Sequence, residues 1–158
     1  VFFGAAGQGN STYICGSGAD LLGMGQGTNY VALGSGYDVV FGNPGTMGAS
    51  FIVAGSGSAD IGLGGATNAF YVGTGTAARS FNLFNFSAGA DTLVLNGLPS
   101  SAIGAAIAGQ TIVNQSDTLT VGGNTTITLI GVTAPVTAAF FGPQAAPPTF
   151  PVPPGLLG

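Results

Sequence analysis

The sequence predicts an all-β protein: a two-sheet β-solenoid, or parallel β-roll, followed by a small β-rich cap with one short helix and an extended proline-rich tail. Three observations predict it. Glycine returns every nine residues, at Gly7, Gly16, Gly25 and Gly34 and again at Gly9, Gly18, Gly27, Gly36 and Gly45. Within each nonapeptide the seventh and ninth positions are apolar, as at Tyr13 and Cys15, Leu22 and Met24, Val31 and Leu33, Ile61 and Leu63, Phe70 and Val72. The fifth position alternates in kind from unit to unit. A fixed short period of one turn and one strand describes a solenoid, in which no unit is stable until neighbours stack on it.

Read in order from Gly7, the units are GQGNSTYIC, GSGADLLGM, GQGTNYVAL, GSGYDVVFG and NPGTMGASF, which places Ala49 and Phe51 inside. After a three-residue insertion at Ile52 to Ala54 come GSGSADIGL, GGATNAFYV and GTGTAARSF. Side chains alternate across a strand, so the seventh and ninth positions share a face, the inside of the roll. Two units complete a turn of about 18 residues, and the fifth position then divides into two columns. One holds Ser11, Asn29, Met47 and Asn68; the other holds Asp20, Asp38, a slipped Ala59-Asp60 and Ala77. Arg79 occupies a core position of the eighth unit, so the regular roll is expected to span residues 1–81.

Residues 82–133 read as the cap. Alternating apolar residues run from Phe81 to Leu95 around a turn at Ala88 to Asp91. Pro99 and Ser100 then open a short helix carrying Ile103 and Ile107 one turn apart. A hairpin over Gly122 to Asn124 joins strands at Thr118 to Val121 and Thr125 to Val132. Residues 134–158 are too rich in proline for regular helix and are expected to be extended.

Composition removes most chemistry. Only 4% of residues are charged, with no histidine, five acidic residues, all aspartate, and one basic residue, Arg79. General acid–base catalysis draws chiefly on histidine, glutamate or lysine, zinc on clustered Cys, His or acidic ligands, and nucleic acid on a basic surface. The chain is therefore expected to be neither an enzyme nor a nucleic-acid binder. Its apolar stretches are too interrupted for a membrane span. Cys15 reads as a small buried residue.

Two units, Cys15-Gly-Ser-Gly-Ala-Asp20-Leu-Leu22-Gly and Leu33-Gly-Ser-Gly-Tyr-Asp38-Val-Val40-Phe, resemble the repeats of the repeats-in-toxin (RTX) family, Gly-Gly-x-Gly-x-Asp-x-apolar-x, with the first glycine replaced. Residues 84–97, with the helix and hairpin after them, resemble the region that follows the repeats in many secreted members. The resemblance implies calcium between stacked turns, held by Asp20 and Asp38, with Asp38 and Asp60 flanking a poorer site. It also implies a secreted, extracellular or cell-surface location. Calcium takes six to eight oxygens, whereas one edge here offers a single aspartate per turn and the other only Ser and Asn. The alternative is that the chain holds no cofactor, and the carboxylates cap turn amides while Asn29 and Asn68 bond neighbouring turns.

The sixth and eighth positions face outward yet hold Ile14, Leu21, Tyr30, Ala32, Val39, Phe41, Ala69 and Tyr71. Apolar faces on a weakly charged chain predict a covering partner. The expected partner is a copy of the chain itself, in a filament, fibre or layer. Leu21, Tyr30, Val39, Phe41 and Tyr71 are the expected contacts, and Phe140, Phe141 and Phe150 of the tail anchors on a neighbour. The alternative is a calcium-binding module of a larger secreted protein. No regular outward threonine ladder, the sign of an ice-binding face, is visible.

Overall fold

The computed structural model describes residues 2–3, 9–42, 48–65 and 67–149. In chain order the strands are β1 (Phe2–Phe3), β2 (Ser11–Ile14), β3 (Leu21–Gly23), β4 (Asn29–Ala32), β5 (Tyr37–Phe41), β6 (Ala49–Val53), β7 (Ser58–Gly62), β8 (Thr67–Gly73), β9 (Arg79–Phe84) and β10 (Thr92–Asn96). Helix α1 (Ser101–Ala108) follows, then β11 (Thr111–Val113), β12 (Ser116–Val121) and β13 (Thr125–Ile130). Two sheets face each other. The long one runs β1-β3-β5-β7-β9-β13-β12-β11 and the short one β10-β8-β6-β4-β2. Successive strands thus alternate between sheets, as a roll with two units per turn requires.

The inside is the predicted set. Leu22, Met24, Val31, Leu33, Val40, Ile61, Leu63, Phe70 and Val72 are all buried, joined by Ile52, Phe81, Leu83, Leu93 and Leu95, while Tyr13 is half-buried at one end of the core. Complete burial of such side chains is worth roughly 1.5–3 kcal/mol each, which holds the stacked strands together.

The phase of the sixth strand is corrected. Asn29 lies opposite Ser50 and Val31 opposite Ile52, a step of 21 residues, whereas Ser11 lies opposite Asn29, a step of 18. The three additional residues therefore fall between Gly42 and Gly48, and not at Ile52 to Ala54. Gly45 preserves the nine-residue glycine phase and so conceals the shift. Burial follows the new phase: Ser50 and Ile52 point inward, and Phe51 points outward to stack on Tyr30 at a centroid distance of 5.3 Å. Met47, assigned by the sequence to the Asn column, lies outside the described residues, and Ser50 takes its place.

Parallel stacking continues past Phe81. Strand β10 pairs with β8, placing Leu93 beside Phe70, and β13 pairs with β9, placing Ile127 beside Phe81. Arg79 does not interrupt the core because its guanidinium turns into the adjacent turn. Beyond β13 the long sheet becomes antiparallel through the hairpin to β12, where Gly122 and Gly123 adopt positive φ. Ala106 of α1 is buried and faces the end of the core.

The tail corrects one expectation. Val136 is buried, and its amide donates to Asp117 Oδ2 at 3.0 Å and Gln110 Oε1 at 2.7 Å. A single 3-10 turn at Ala138–Phe140 follows. Phe140 stacks on Phe86 of its own chain, with centroids 5.7 Å apart, and Phe141 bridges to Leu93 at the free edge of β10. Phe140 and Phe141, read from the sequence as anchors on a neighbour, pack on the end of their own roll. Phe150 lies outside the described residues.

Candidate functional site

Along one edge the turns leading into β3, β5, β7 and β9 are stacked. The first two present Asp20 and Asp38. Each carboxylate folds back on the turn that opens its own unit: Asp20 Oδ2 accepts the Gly16 amide at 3.2 Å and Asp38 Oδ2 the Gly34 amide at 3.0 Å. Asp38 Oδ1 also accepts the Asp20 amide at 3.2 Å, tying the two turns together. This geometry is amide capping, which suits aspartate in a glycine turn.

The same turns bring a third group into place. One ligand atom each from Cys15, Asp20 and Asp38 lies within 4.8 Å of the others. Cys15 directly follows β2, at the entry to the first of these turns, and is buried. Burial, and then the Asp38 and Asp20 carboxylates, push its pKa up from 9.0 to about 12. The protonated thiol is thus the folded-state form at neutral pH and is a poor nucleophile.

This shift yields a stability prediction. A thiol that holds its proton more tightly when folded contributes stability fully present below its ordinary pKa near 9 and lost as pH rises toward about 12. Tyr37, raised chiefly by its hydrogen bond to Asp60, and Tyr71, raised by burial, act with the same sign above pH 10. Melting temperature should therefore fall steadily above about pH 9, and Cys15→Ala should flatten that slope. An unchanged slope in the variant would remove Cys15 as its source.

Asp60 does not join the aspartate column. Ala59 sits opposite Asp38, which puts Asp60 opposite Val39 on the outer face. There Asp60 Oδ1 accepts from Asn82 Nδ2 at 2.7 Å. Strand alternation is the reason: one residue of slip exchanges inside for outside.

The opposite edge is held by amides. Asn29 Nδ2 donates to Gly25 O and Gly27 O, both at 3.0 Å, and Asn68 Nδ2 to Gly64 O at 3.3 Å. Asp91 extends this column one coil further, with its Oδ1 accepting from Asn68 Nδ2 at 2.7 Å. The sequence reading missed that extension because the turn before β10 lacks the glycine period; the dipeptide Ala90-Asp91 before an apolar strand is the remaining signal.

The residues read as outward lie on the outer faces. Ile14 and Phe41 are exposed, and Leu21, Tyr30, Val39 and Tyr71 are half-buried. The hairpin adds a patch that was not anticipated. Thr118 pairs with Thr128 and Thr120 with Thr126, so four outward threonines form a square on the long sheet. Their order is invisible along the sequence because two of them run antiparallel to the roll.

Asp20 and Asp38 supply anionic oxygens, the Cys15 thiol supplies none, and both Asp38 oxygens already accept amides. Two aspartates alone fall short of the six to eight oxygens that calcium takes, so turn carbonyls and water would have to complete the shell.

No family model matches the chain, and no curated protein matches it. Among solved structures it is similar to the crystal structure of the extracellular lipase LipA from Serratia marcescens, at 14% identity and a TM-score of 0.36. The match covers 89% of this chain and 38% of the lipase chain, so this chain spans well under half the length of that protein. Among the described residues no helix is long and apolar enough to cross a membrane.

Proposed function

We propose that the chain is a non-catalytic structural module, secreted or displayed at a cell surface, that associates with copies of itself through the outer faces of its two sheets. The supporting observation is the apolar outer surface: Phe41 is 55% exposed and Tyr37 49% on the long sheet, with Ile14, 52% exposed, the Tyr30–Phe51 stack and Tyr71 on the short one. Burying such groups against a second copy removes them from water without asking either copy to unfold. Because α1 and the Val136–Gly142 segment close one end of the roll, the contacts are lateral, face to face, instead of end to end through the tail.

Sedimentation of the intact chain should show mass rising with concentration. The double variant Tyr30→Asp, Phe41→Asp places one charge on each outer face and should remain monomeric, with a melting temperature close to that of the unmodified monomer. A single monomeric species of the intact chain at high concentration overturns the reading.

A second reading is favoured by the convergence of Cys15, Asp20 and Asp38: a β-roll module of a larger secreted protein, steadied by calcium at its first two turns. Asp20 and Asp38 would hold the ion, which would supply positive charge between two carboxylates. Calcium added to chelator-treated protein should then raise the melting temperature, and Asp38→Asn should abolish the rise. No response in circular dichroism or melting eliminates this reading and leaves the first untouched.

A further inference from the structure

Arg79 is the one basic residue of the chain, and its side chain is buried, with 7% exposure. A buried cation ordinarily requires a carboxylate. Among the described residues none pairs with it: Asp20 and Asp38 cap turns, Asp60 meets Asn82, Asp91 meets Asn68, and Asp117 meets the Val136 amide. The guanidinium is met by neutral oxygens. Nη1 donates to Gly55 O at 2.6 Å, Nη2 to Gly73 O at 2.5 Å, and Nε to Thr125 Oγ1 at 3.0 Å.

These carbonyls have a defined place in the roll. Gly55 and Gly73 each open a nonapeptide, in the third and fourth turns of the aspartate edge. Lower on that edge, neighbouring turns are joined by backbone bonds: Ser35 N donates to Gly16 O and Gly57 N to Gly34 O, both at 3.1 Å. At the next level Gly55 O receives Arg79 Nη1. The coil has lengthened there, since Val40 lies opposite Ile61, a step of 21, but Ile61 lies opposite Leu83, a step of 22. The turn closes over the guanidinium, because a Cβ on Gly75 would come within 2.8 Å of Arg79 Cζ. The residues around it, Ala54 to Ser56 and Gly73 to Ala77, line a cleft of about 560 Å³.

Converging backbone carbonyls replace the hydration shell of a cation. We infer that the third and fourth turns of the aspartate edge form a cation-binding site whose occupant is the chain's own guanidinium, and that a free guanidinium ion binds there when the Arg79 side chain is cut back. The roll thereby locks its closed end with a covalently attached cation. The inference is independent of self-association and of calcium at Asp20 and Asp38.

Chemical rescue tests it. Arg79→Ala should lower the melting temperature by on the order of 10 °C, as expected for losing several charge-assisted bonds. Guanidinium chloride well below denaturing concentrations should restore much of that loss, relative to sodium chloride at equal ionic strength, and should give the unmodified protein no gain. Arg79→Met, which fills the space without charge, should be as unstable as Arg79→Ala and insensitive to guanidinium. Full stability of Arg79→Met, or an Arg79→Ala variant that responds to guanidinium no better than to sodium, overturns the inference. If Arg79→Ala does not fold, Arg79→Lys decides: a tethered cation should melt above Arg79→Met, and equal melting of the two refutes the site.

Discussion

Replacing Gly34 with alanine is expected to disrupt the first coils of the roll, while the same replacement at Gly16, one turn lower in the same stack, is expected to be tolerated. A Cβ on Gly34 would lie 1.7 Å from Gly16 O, 2.8 Å from Gly16 C and 3.0 Å from Cys15 O, all backbone atoms that cannot rotate away. Gly36 and Gly55 meet the turn below in the same way, at 2.0 Å from Gly18 O and 1.9 Å from Gly34 O. Relief requires separating stacked strands and breaking their ladder, so the cost should exceed the roughly 1–3 kcal/mol of ordinary core overpacking. Gly16 and Gly18 have nothing within 4 Å of an added Cβ. Alanine there should change stability by no more than about 1 kcal/mol in either direction, with part of that arising from the unfolded chain. Urea unfolding of Gly16→Ala and Gly34→Ala, side by side, reads the difference. Equal midpoints would mean that the turns are not stacked as described.

That contrast also explains what could be read in advance. The glycine period reports close approach of backbone to backbone between successive turns, a constraint that repeats, so the roll, its two sheets and the inward set from Leu22 to Val72 were legible. The period is silent where spacing changes. At Gly45 a glycine in phase concealed the three added residues, which set Ala49 and Phe51 inside when Ser50 and Ile52 are there. Asp60 was drawn into the aspartate column because a carboxylate near the expected position is more conspicuous than Ala59, the small residue that fills it. Long-range partners left no local trace at all. Nothing around Arg79 names Gly55, Gly73 or Thr125, and nothing around Phe140 names Phe86. Apolar outward positions follow from strand alternation, whereas the packing of Phe140 and Phe141 on their own roll follows from no local pattern.

The second large effect is expected at the opposite edge, where Asp91→Ala should cost about 2–5 kcal/mol, from losing several hydrogen bonds to a buried carboxylate. Asp91 is 3% exposed and stands where the roll passes into the cap. Its Oδ1 accepts the Asn68 amide at 3.0 Å and Asn68 Nδ2 at 2.7 Å, and its Oδ2 accepts the Ser87 amide at 2.7 Å. Alanine removes the acceptor of the buried Asn68 amide and of the Ser87 amide, while Asn68 Nδ2 keeps Gly64 O, and a buried donor left unsatisfied costs about 1–3 kcal/mol. For a chain of this size the loss corresponds to a fall in melting temperature of roughly 10 °C. Asp91→Asn keeps one acceptor oxygen for Asn68 but turns an NH2 toward the Ser87 amide, and should fall between the two. Asp60→Ala is the matched control, because that carboxylate also accepts an asparagine NH2, yet on the outer face; its cost should stay within about 1 kcal/mol. Hydrogen exchange locates the damage. With Asp91 removed, amides of β8 and β10 should lose protection before those of β4, because the column from Asn29 to Asn68 remains intact below. If Asp91→Ala is as benign as Asp60→Ala, then apolar packing of Leu93 and Leu95 on Phe70 and Val72, and not the carboxylate, holds the cap to the roll.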